Sequence, residues 1–237
     1  MKWFALLLVV ALSACVTESS RDERGNVSNL AEAARTNTSL AVEYARAGNY
    51  ELALEKALRA LSQDDGYAPA HSAIALIYAR RGDEVEAVKH YRRAISLDPQ
   101  DLFTRNNYAI FECEHGRIDD ALALFERVAR NKSYNAPESA LLNAGVCANR
   151  GGKFEKAEGY FREVLELNPS NPDALLQMAT IAAKRLDWLR VRAFLQRRDR
   201  ATQPTAESLR LAIRAERGLG DTAAAERLGV QLQRDFP

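Results

Sequence analysis

Apolar, small and polar positions recur along this chain with a period of 34 residues. A recurrence of that length indicates an array of small structural units rather than an ordinary amphipathic helix bundle. Its clearest markers are five glycines, each followed by a polar residue and a new apolar run: Gly48, Gly82, Gly116, Gly152 and Gly220. The first three are 34 residues apart, the fourth comes 36 residues later, and the fifth follows two further periods, with Leu186 at the intervening position.

Each period predicts two helices joined by a turn, because the glycine can end the first helix in a left-handed conformation. When the units are aligned on these glycines, six units start near residues 34, 68, 102, 138, 172 and 206. Small residues mark the first helices, with Ile213 as the exception: Ala41, Ala75, Ala109, Gly145 and Ala179. Small or short residues also open the second helices: Ala53, Ala87, Ala121, Ala157, Val191 and Ala225. Such side chains let the two helices of a unit cross closely.

This pattern resembles the tetratricopeptide repeat. The resemblance implies an all-α fold over residues 34–237, a right-handed superhelix of six helix-turn-helix units whose first helices line a concave groove. The fifth unit departs from the pattern, since Leu186-Asp187-Trp188 replaces the usual Gly-Asp-Tyr turn and Arg198 occupies a normally small position. The phase resumes at Gly220, so we predict that this segment is still a repeat.

The amino terminus reads as a targeting segment. Lys2 precedes an unbroken apolar run from Trp3 to Leu12, which is too short to span a bilayer as a permanent helix. The string Leu12-Ser13-Ala14-Cys15 resembles the lipobox of bacterial lipoproteins, which implies removal of residues 1–14 and acylation of Cys15. The alternative is an ordinary secretory signal in which Cys15 is incidental. Residues 15–33 are then a lipidated cysteine and a flexible polar tether.

The position after Cys15 is Val16 rather than aspartate, and in lipoproteins this implies transport to the outer membrane. We therefore expect a protein held by its lipid on the periplasmic face of that membrane. The chain has 33 Lys and Arg against 32 Asp and Glu, and loss of Lys2 brings the mature charge to zero. That balance argues against a nucleic-acid partner. The basic stretch 184–200 is expected to be a solvated face, with a docking patch for an anionic surface as the alternative.

Catalytic and cofactor motifs are not found. His71, His90 and His115 lie in different predicted helices or turns without metal-ligand spacing, and the chain has no glycine-rich phosphate loop. We therefore expect no enzymatic activity, no cofactor, no metal and no small-molecule substrate. Cys113 and Cys147 fall in the first helices of adjacent units, so a disulfide is conceivable in an oxidising compartment. Because their positions within the repeat differ, we favour two small buried thiols.

Two rows of polar residues are candidates for binding a partner in the groove. In repeats of this kind the sixth position points into the groove, and here it holds three successive amides: Asn107, Asn143 and Gln177. Amides can donate to and accept from the backbone of an extended peptide. Alternatively, Asn107 or Asn143 caps local structure or is merely solvated. A neighbouring row adds positive charge for an acidic ligand: Arg46, Arg80, Arg150 and Lys184.

The whole chain resembles the type IV pilus biogenesis lipoproteins of the PilF/PilW family, the pilotins. The resemblance covers the lipobox, the six units, Asn106-Asn107-Tyr108, and the two-residue expansion before the fourth unit, with Tyr134 and Pro137-Glu138-Ser139. It implies an outer-membrane scaffold that binds secretin subunits and promotes their localisation and multimerisation. One alternative is a scaffold for envelope or peptidoglycan-assembly enzymes. Another is an enzyme that uses Cys113 as its nucleophile.

Overall fold

The computed structural model describes the backbone of residues 19–237 and the side chains from residue 29 onward. This part of the chain forms α-helices joined by short turns. In chain order they are α1 (Ser19–Arg46), α2 (Tyr50–Gln63), α3 (Ala68–Arg81), α4 (Glu84–Leu97), α5 (Leu102–Glu114), α6 (Ile118–Ala129), α7 (Pro137–Arg150), α8 (Phe154–Leu167), α9 (Pro172–Lys184), α10 (Trp188–Asp199), α11 (Ala206–Gly218) and α12 (Thr222–Asp235).

The helices pair as six antiparallel units, and each unit packs against the next. The first helix of every unit also contacts the first helix of the following unit, from α1 and α3 through to α9 and α11. Among the described helices, no two second helices bring their backbones this close, and α6 and α8 meet through side chains. First helices are therefore closer together than second helices, so the array curves with its first helices on the inner, concave side. The all-α tetratricopeptide superhelix predicted from the period is confirmed.

Left-handed turns close the first helices, as the glycine period requires. Each of the five marker glycines has a positive φ, from 72° at Gly152 to 83° at Gly82. Leu186 adopts the same conformation in the fifth unit, with φ 58°, and among the described residues it is the one non-glycine residue with a positive φ. A side chain in this region costs free energy that glycine does not. The fifth unit therefore keeps the turn geometry without the residue that favours it.

Close helix crossings explain the small residues. The predicted small positions of both helices are buried, and a Cβ built on Gly145 of α7 would overlap the ring of Phe161 on α8. The largest core cluster spans α5 to α9 and includes Phe125 and Phe161. Interiors packed this tightly leave no room for an extra methyl group at the crossing.

Helix α1 begins at Ser19, so the predicted flexible tether is wrong for residues 19–33, which continue the first helix of unit one. Ala31, Glu32, Ala33 and Ala34 are good helix formers, and Ala34 is fully buried against the second unit. Residues 19–33 have no strong apolar period, so the hydrophobic pattern gave no sign of this extension of the helix. Cys15 and the predicted signal segment 1–14 lie outside the described residues.

Cys113 and Cys147 form a disulfide, so the preference for two free thiols is wrong. Their Cα atoms are 5.7 Å apart, within the usual range for such a bond. The two cysteines differ in position when residues are counted from the predicted unit starts, because the two-residue expansion displaces the start of unit four. Counted from the helix starts, Cys113 is the twelfth residue of α5 and Cys147 the eleventh of α7, and these two helices are neighbours on the concave side. The bond also consumes the thiol on which a Cys113 nucleophile would depend.

Candidate functional site: the concave groove

A cavity of about 550 Å³ opens on the concave side of units one to three. Its walls come from the first helices α1, α3 and α5, which is where the repeat geometry predicts a ligand groove. Apolar side chains form much of the lining, among them Val42, Leu76 and Phe103. This combination of an apolar wall and a few convergent polar groups is typical of a peptide-binding surface.

Among the large hydrophobic side chains of the cavity, Phe103 is the most exposed. Its side chain lies near the start of α5, where Asp101 caps the helix by accepting hydrogen bonds from the backbone N–H groups of Phe103 and Thr104. The residue is 57% exposed, and its ring packs edge-on against the buried Tyr134, with 5.3 Å between ring centroids. Tyr134 belongs to the two-residue expansion before unit four. The expansion therefore supports an aromatic side chain that faces the groove.

Two of the predicted arginines reach the same cavity. The Arg46 guanidinium lies 3.0 Å from the Glu43 carboxylate, but both side chains are largely exposed, so water screens this pair. Arg80 is exposed and has no ion-pair partner among the side chains that the structure describes. Asn107 completes the polar lining. The structure thus brings Arg46, Arg80 and Asn107 together around one apolar cavity.

The other predicted groove residues do not join them. Asn143 is half-buried on α7, and Arg150 is exposed at the end of the same helix. Gln177 and Lys184 both bind Asn149: its amide nitrogen lies 3.4 Å from Gln177 Oε1, and its amide oxygen accepts from Lys184 at 3.0 Å. The Lys184 ammonium also lies 4.3 Å from the centre of the Phe154 ring. Gln177 and Lys184, two of the predicted groove residues, are therefore already bound to other residues of the protein.

The basic stretch 184–200 ties units together instead of presenting a uniform solvated face. Arg185 and Arg190 both bind the buried Glu158 carboxylate, at 2.6 and 3.1 Å, and Arg192 pairs with Glu216 of unit six. Arg198 is 5% exposed and donates to Ser208 Oγ at 3.3 Å. The expectation of a solvated face is therefore wrong for the buried Arg198, whereas Arg185, Arg190 and Arg192 remain partly exposed while they pair with carboxylates.

Two histidines that the sequence places in different helices meet in unit two. The Nδ1 atoms of His71 and His90 are 2.9 Å apart, and His71 Nε2 lies 3.1 Å from the backbone oxygen of Asp65. Because a carbonyl only accepts, His71 donates through Nε2 and receives the Nδ1–H of His90. Burial, and then the charge of His71, lower the pKa of His90. Within the described residues no group of three or more potential metal ligands occurs.

Sequence reasoning missed the contribution of Phe103 and the role of Tyr134. An apolar aromatic residue at the second position of a first helix was a usable signal, since neighbouring positions of that helix pack inward.

The described helices include none that is both long and apolar enough to cross a membrane.

Comparisons with known proteins agree with this architecture. Models of the tetratricopeptide repeat match residues 68–101 and 113–172. Type IV pilus assembly protein PilF of Pseudomonas aeruginosa is 28% identical over 231 residues, which cover 98% of this chain and 92% of that protein.

Solved structures show the same relationship. The structure of Pseudomonas aeruginosa PilF has a TM-score of 0.76 at 27% identity, covering 88% of this chain and 94% of that one. That of PilW, described as a widely conserved type IV pilus biogenesis factor, has a TM-score of 0.76 at 28% identity and covers 86% and 94%. A tetratricopeptide repeat protein from Parabacteroides merdae shares the fold, with a TM-score of 0.64 at 16% identity.

Proposed function

Because this chain is a tetratricopeptide-repeat protein that resembles PilF and PilW over most of its length, we propose that it is a lipid-anchored scaffold for type IV pilus biogenesis. Its partner in this proposal is the outer-membrane secretin, whose subunits it binds and whose multimerisation it promotes. What supports the role most directly is the similarity to PilF over 98% of the chain, combined with an open groove cavity in units one to three.

The groove chemistry suits an extended or helical segment that carries both apolar and acidic side chains. Phe103 offers an exposed ring at the cavity wall, and Arg80 offers a guanidinium without an ion-pair partner in the described structure. Arginine binds carboxylates through two parallel hydrogen bonds, which fixes orientation as well as adding affinity. Asn107 adds a donor and an acceptor for the backbone of the bound segment.

The mechanism is positional. Acylation of Cys15 would hold the array on the periplasmic face of the outer membrane, since a multiply acylated residue binds stably where one chain binds only marginally. Subunits bound in the groove are then concentrated at the membrane in which the ring forms. A raised local concentration favours multimers without any covalent step.

The anchor is tested by Cys15→Ser in cells that carry the secretin. We expect the variant in the soluble periplasmic fraction, with secretin multimers reduced and monomers increased on gels. Ser20→Ala, which leaves the lipobox intact, is the matched control and should behave as wild type. Normal multimers at the outer membrane in the Cys15→Ser strain would contradict the positional mechanism.

The groove is tested by Arg80→Glu and by Asn107→Ala combined with Asn143→Ala. Arg80→Glu should weaken binding to purified secretin at least about tenfold, because a charge-assisted hydrogen bond is lost. The double variant should weaken it as well through loss of the Asn107 amide, since Asn143 lies outside the cavity. Arg93→Glu, an exposed charge reversal on the second helix α4, is the control. Unchanged binding in Arg80→Glu, or co-purification of wall hydrolases without secretin, would favour a different scaffold role.

A further inference from the structure

The convex side of the array has a repeated position that lies at the junction between neighbouring units. It is the seventh residue of each second helix, from unit two onward, at the same 34- or 36-residue intervals as the glycines: His90, Leu124, Tyr160, Phe194 and Leu228. Rings occupy this position in units two, four and five. In unit three the residue is Leu124, on α6.

The ring in unit four shows what the position does. Tyr160 extends from α8 to the preceding second helix α6, where its hydroxyl donates a hydrogen bond to the Glu126 carboxylate. The residue is 6% exposed, so its ring closes the cleft between the two helices. Phe194 in unit five likewise packs against the two core clusters on either side of it, with the Arg190 guanidinium 5.7 Å from its ring centre.

The corresponding cleft of unit three is open. Between α4 and α6, with α5 as its floor, a cavity of about 620 Å³ is lined by Val88, Leu124 and the ring of Tyr108. Leucine at position 124 is half-buried against the core and does not reach across to α4 as Tyr160 reaches to α6. The cleft therefore lacks a ring from α6 that reaches α4, and its floor carries the Tyr108 ring where the next unit has Ala144.

The charges at this cleft also differ from those of its neighbour. Arg92 occupies the repeat position that Glu126 holds one unit later, and Arg127 lines the opposite wall. Neither arginine has an ion-pair partner among the described side chains. Glu84 and Glu112, which also line the cleft, are both bound by Arg117, which leaves Asp120 as the acidic group at the rim. The Tyr160 hydroxyl finds a hydrogen-bond acceptor in Glu126, whereas the open cleft has the guanidinium donors of Arg92 and Arg127.

We propose that this convex cleft is a second docking site, for a polypeptide segment that inserts an aromatic side chain between α4 and α6 and places an adjacent carboxylate against Arg92 and Arg127. The ring takes the place that Tyr160 takes in the next unit, and the arginines supply the charge complementarity.

The site is on the opposite face from the concave cavity and is formed by second helices and the outer side of α5. One copy of the protein can therefore hold two segments at once. This inference does not depend on the identity of the groove partner.

The test uses the mature full chain with methyl-labelled leucine and valine, titrated with the blocked peptide Ala-Phe-Asp-Ala. We expect saturable NMR shifts at Leu124 and Val88. Peptides with alanine for phenylalanine, or asparagine for aspartate, should bind at least about tenfold more weakly, because each loses one of the two contacts. Absence of saturable shifts at these methyls, or shifts confined to Val42 and Leu76 of the concave cavity, would overturn the proposal.

Two variants distinguish peptide binding in the cleft from general effects of a substitution on the protein. Leu124→Tyr should fill it as Tyr160 fills the next one and abolish peptide binding, whereas Leu58→Tyr on α2 should leave binding unchanged. Arg92→Glu recreates the charge of unit four and should abolish the preference for aspartate, which keeps the test decisive if Leu124→Tyr fails to fold. Equal binding to Arg92→Glu, or shifts that follow protein concentration without peptide and so reveal a second copy as the occupant, would contradict the assignment.

Discussion

Gly145 lies beneath the ring of Phe161, with the ring atom Cδ1 2.7 Å from where a Cβ would stand. Gly145→Ala must displace that ring, so we expect the free energy of unfolding to fall by about 1–3 kcal/mol. Gly159 on α8 has nothing within 4 Å of the position that a Cβ would take, and Gly159→Ala should raise stability by up to about 1 kcal/mol. Urea unfolding of both variants measures the difference. Similar midpoints for the two would contradict the packing described for this crossing.

Leu186 is held at φ 58° where the other units have glycine, and its side chain is 68% exposed, so little burial offsets the strain. Leu186→Gly should therefore stabilise the protein by about 1 kcal/mol. The converse change, Gly82→Ala at φ 83°, should destabilise it by a similar amount although no atom obstructs the new methyl. Thermal unfolding of the pair provides the measurement. A lower melting temperature for Leu186→Gly would show that the contacts of the leucine side chain stabilise the protein by more than the left-handed backbone conformation destabilises it.

Among the contacts between helices, the disulfide that joins α5 to α7 is the one covalent link in the described structure. It closes a loop of 34 residues, and removing such a bond typically costs about 2–4 kcal/mol. Cys113→Ser combined with Cys147→Ser should lower the urea midpoint accordingly. Reductant should shift the wild-type protein to the same midpoint and leave the variant where it is. A reductant effect on the variant would mean that another process was being measured.

Glu158 connects α8 to α9 and α10 through Arg185 and Arg190. Burial by itself raises the pKa of this carboxyl, but hydrogen bonds from those two arginines, with the charge of Arg162, bring the pKa below its ordinary value. The ion-pair stability is thus present above the unfolded pKa of about 4.3 and is lost as pH falls through the folded pKa. Glu158→Gln should flatten the stability profile in that acidic range. The exposed Glu166→Gln serves as the control and should keep the wild-type slope.

Across the whole molecule, burial is concentrated in the middle units. The largest core cluster runs from α5 to α9 and contains the disulfide, whereas Ala225 is the single buried residue of α12. In repeat arrays each unit depends on its neighbours, so local opening follows the local interface. Amide hydrogen exchange should therefore be fastest in α12 and slowest in α5 to α8. Uniform protection along the array would contradict this distribution of stability.

The sequence predicted the unit count, the turn geometry and the small crossing positions because these depend on contacts within one period. From unit two onward, first helices begin within one residue of the predicted unit starts, at Ala68, Leu102, Pro137, Pro172 and Ala206, whereas α1 begins at Ser19 rather than near residue 34. What it missed depends on the relative placement of different units. The disulfide required the offset between α5 and α7, and the pairing of the basic stretch required knowing which carboxylates, 24 to 32 residues away in sequence, face each arginine.

The groove was predicted in outline for a similar reason. Repeat geometry identified the concave side, and Arg46, Arg80 and Asn107 do line one cavity there. It did not distinguish them from Gln177 and Lys184, because the link of these two through Asn149 crosses from one unit to the next. Their roles in binding stay predictions, as does the acylation of Cys15.

The bond between Cys113 and Cys147 also limits how the array can flex. A solenoid changes curvature through small rotations between adjacent units, and along its inner edge each rotation needs neighbouring first helices to separate or approach. The covalent bond between α5 and α7 restrains their separation. We therefore expect bending to be smaller at the junction of units three and four than within units one to three or within units four to six.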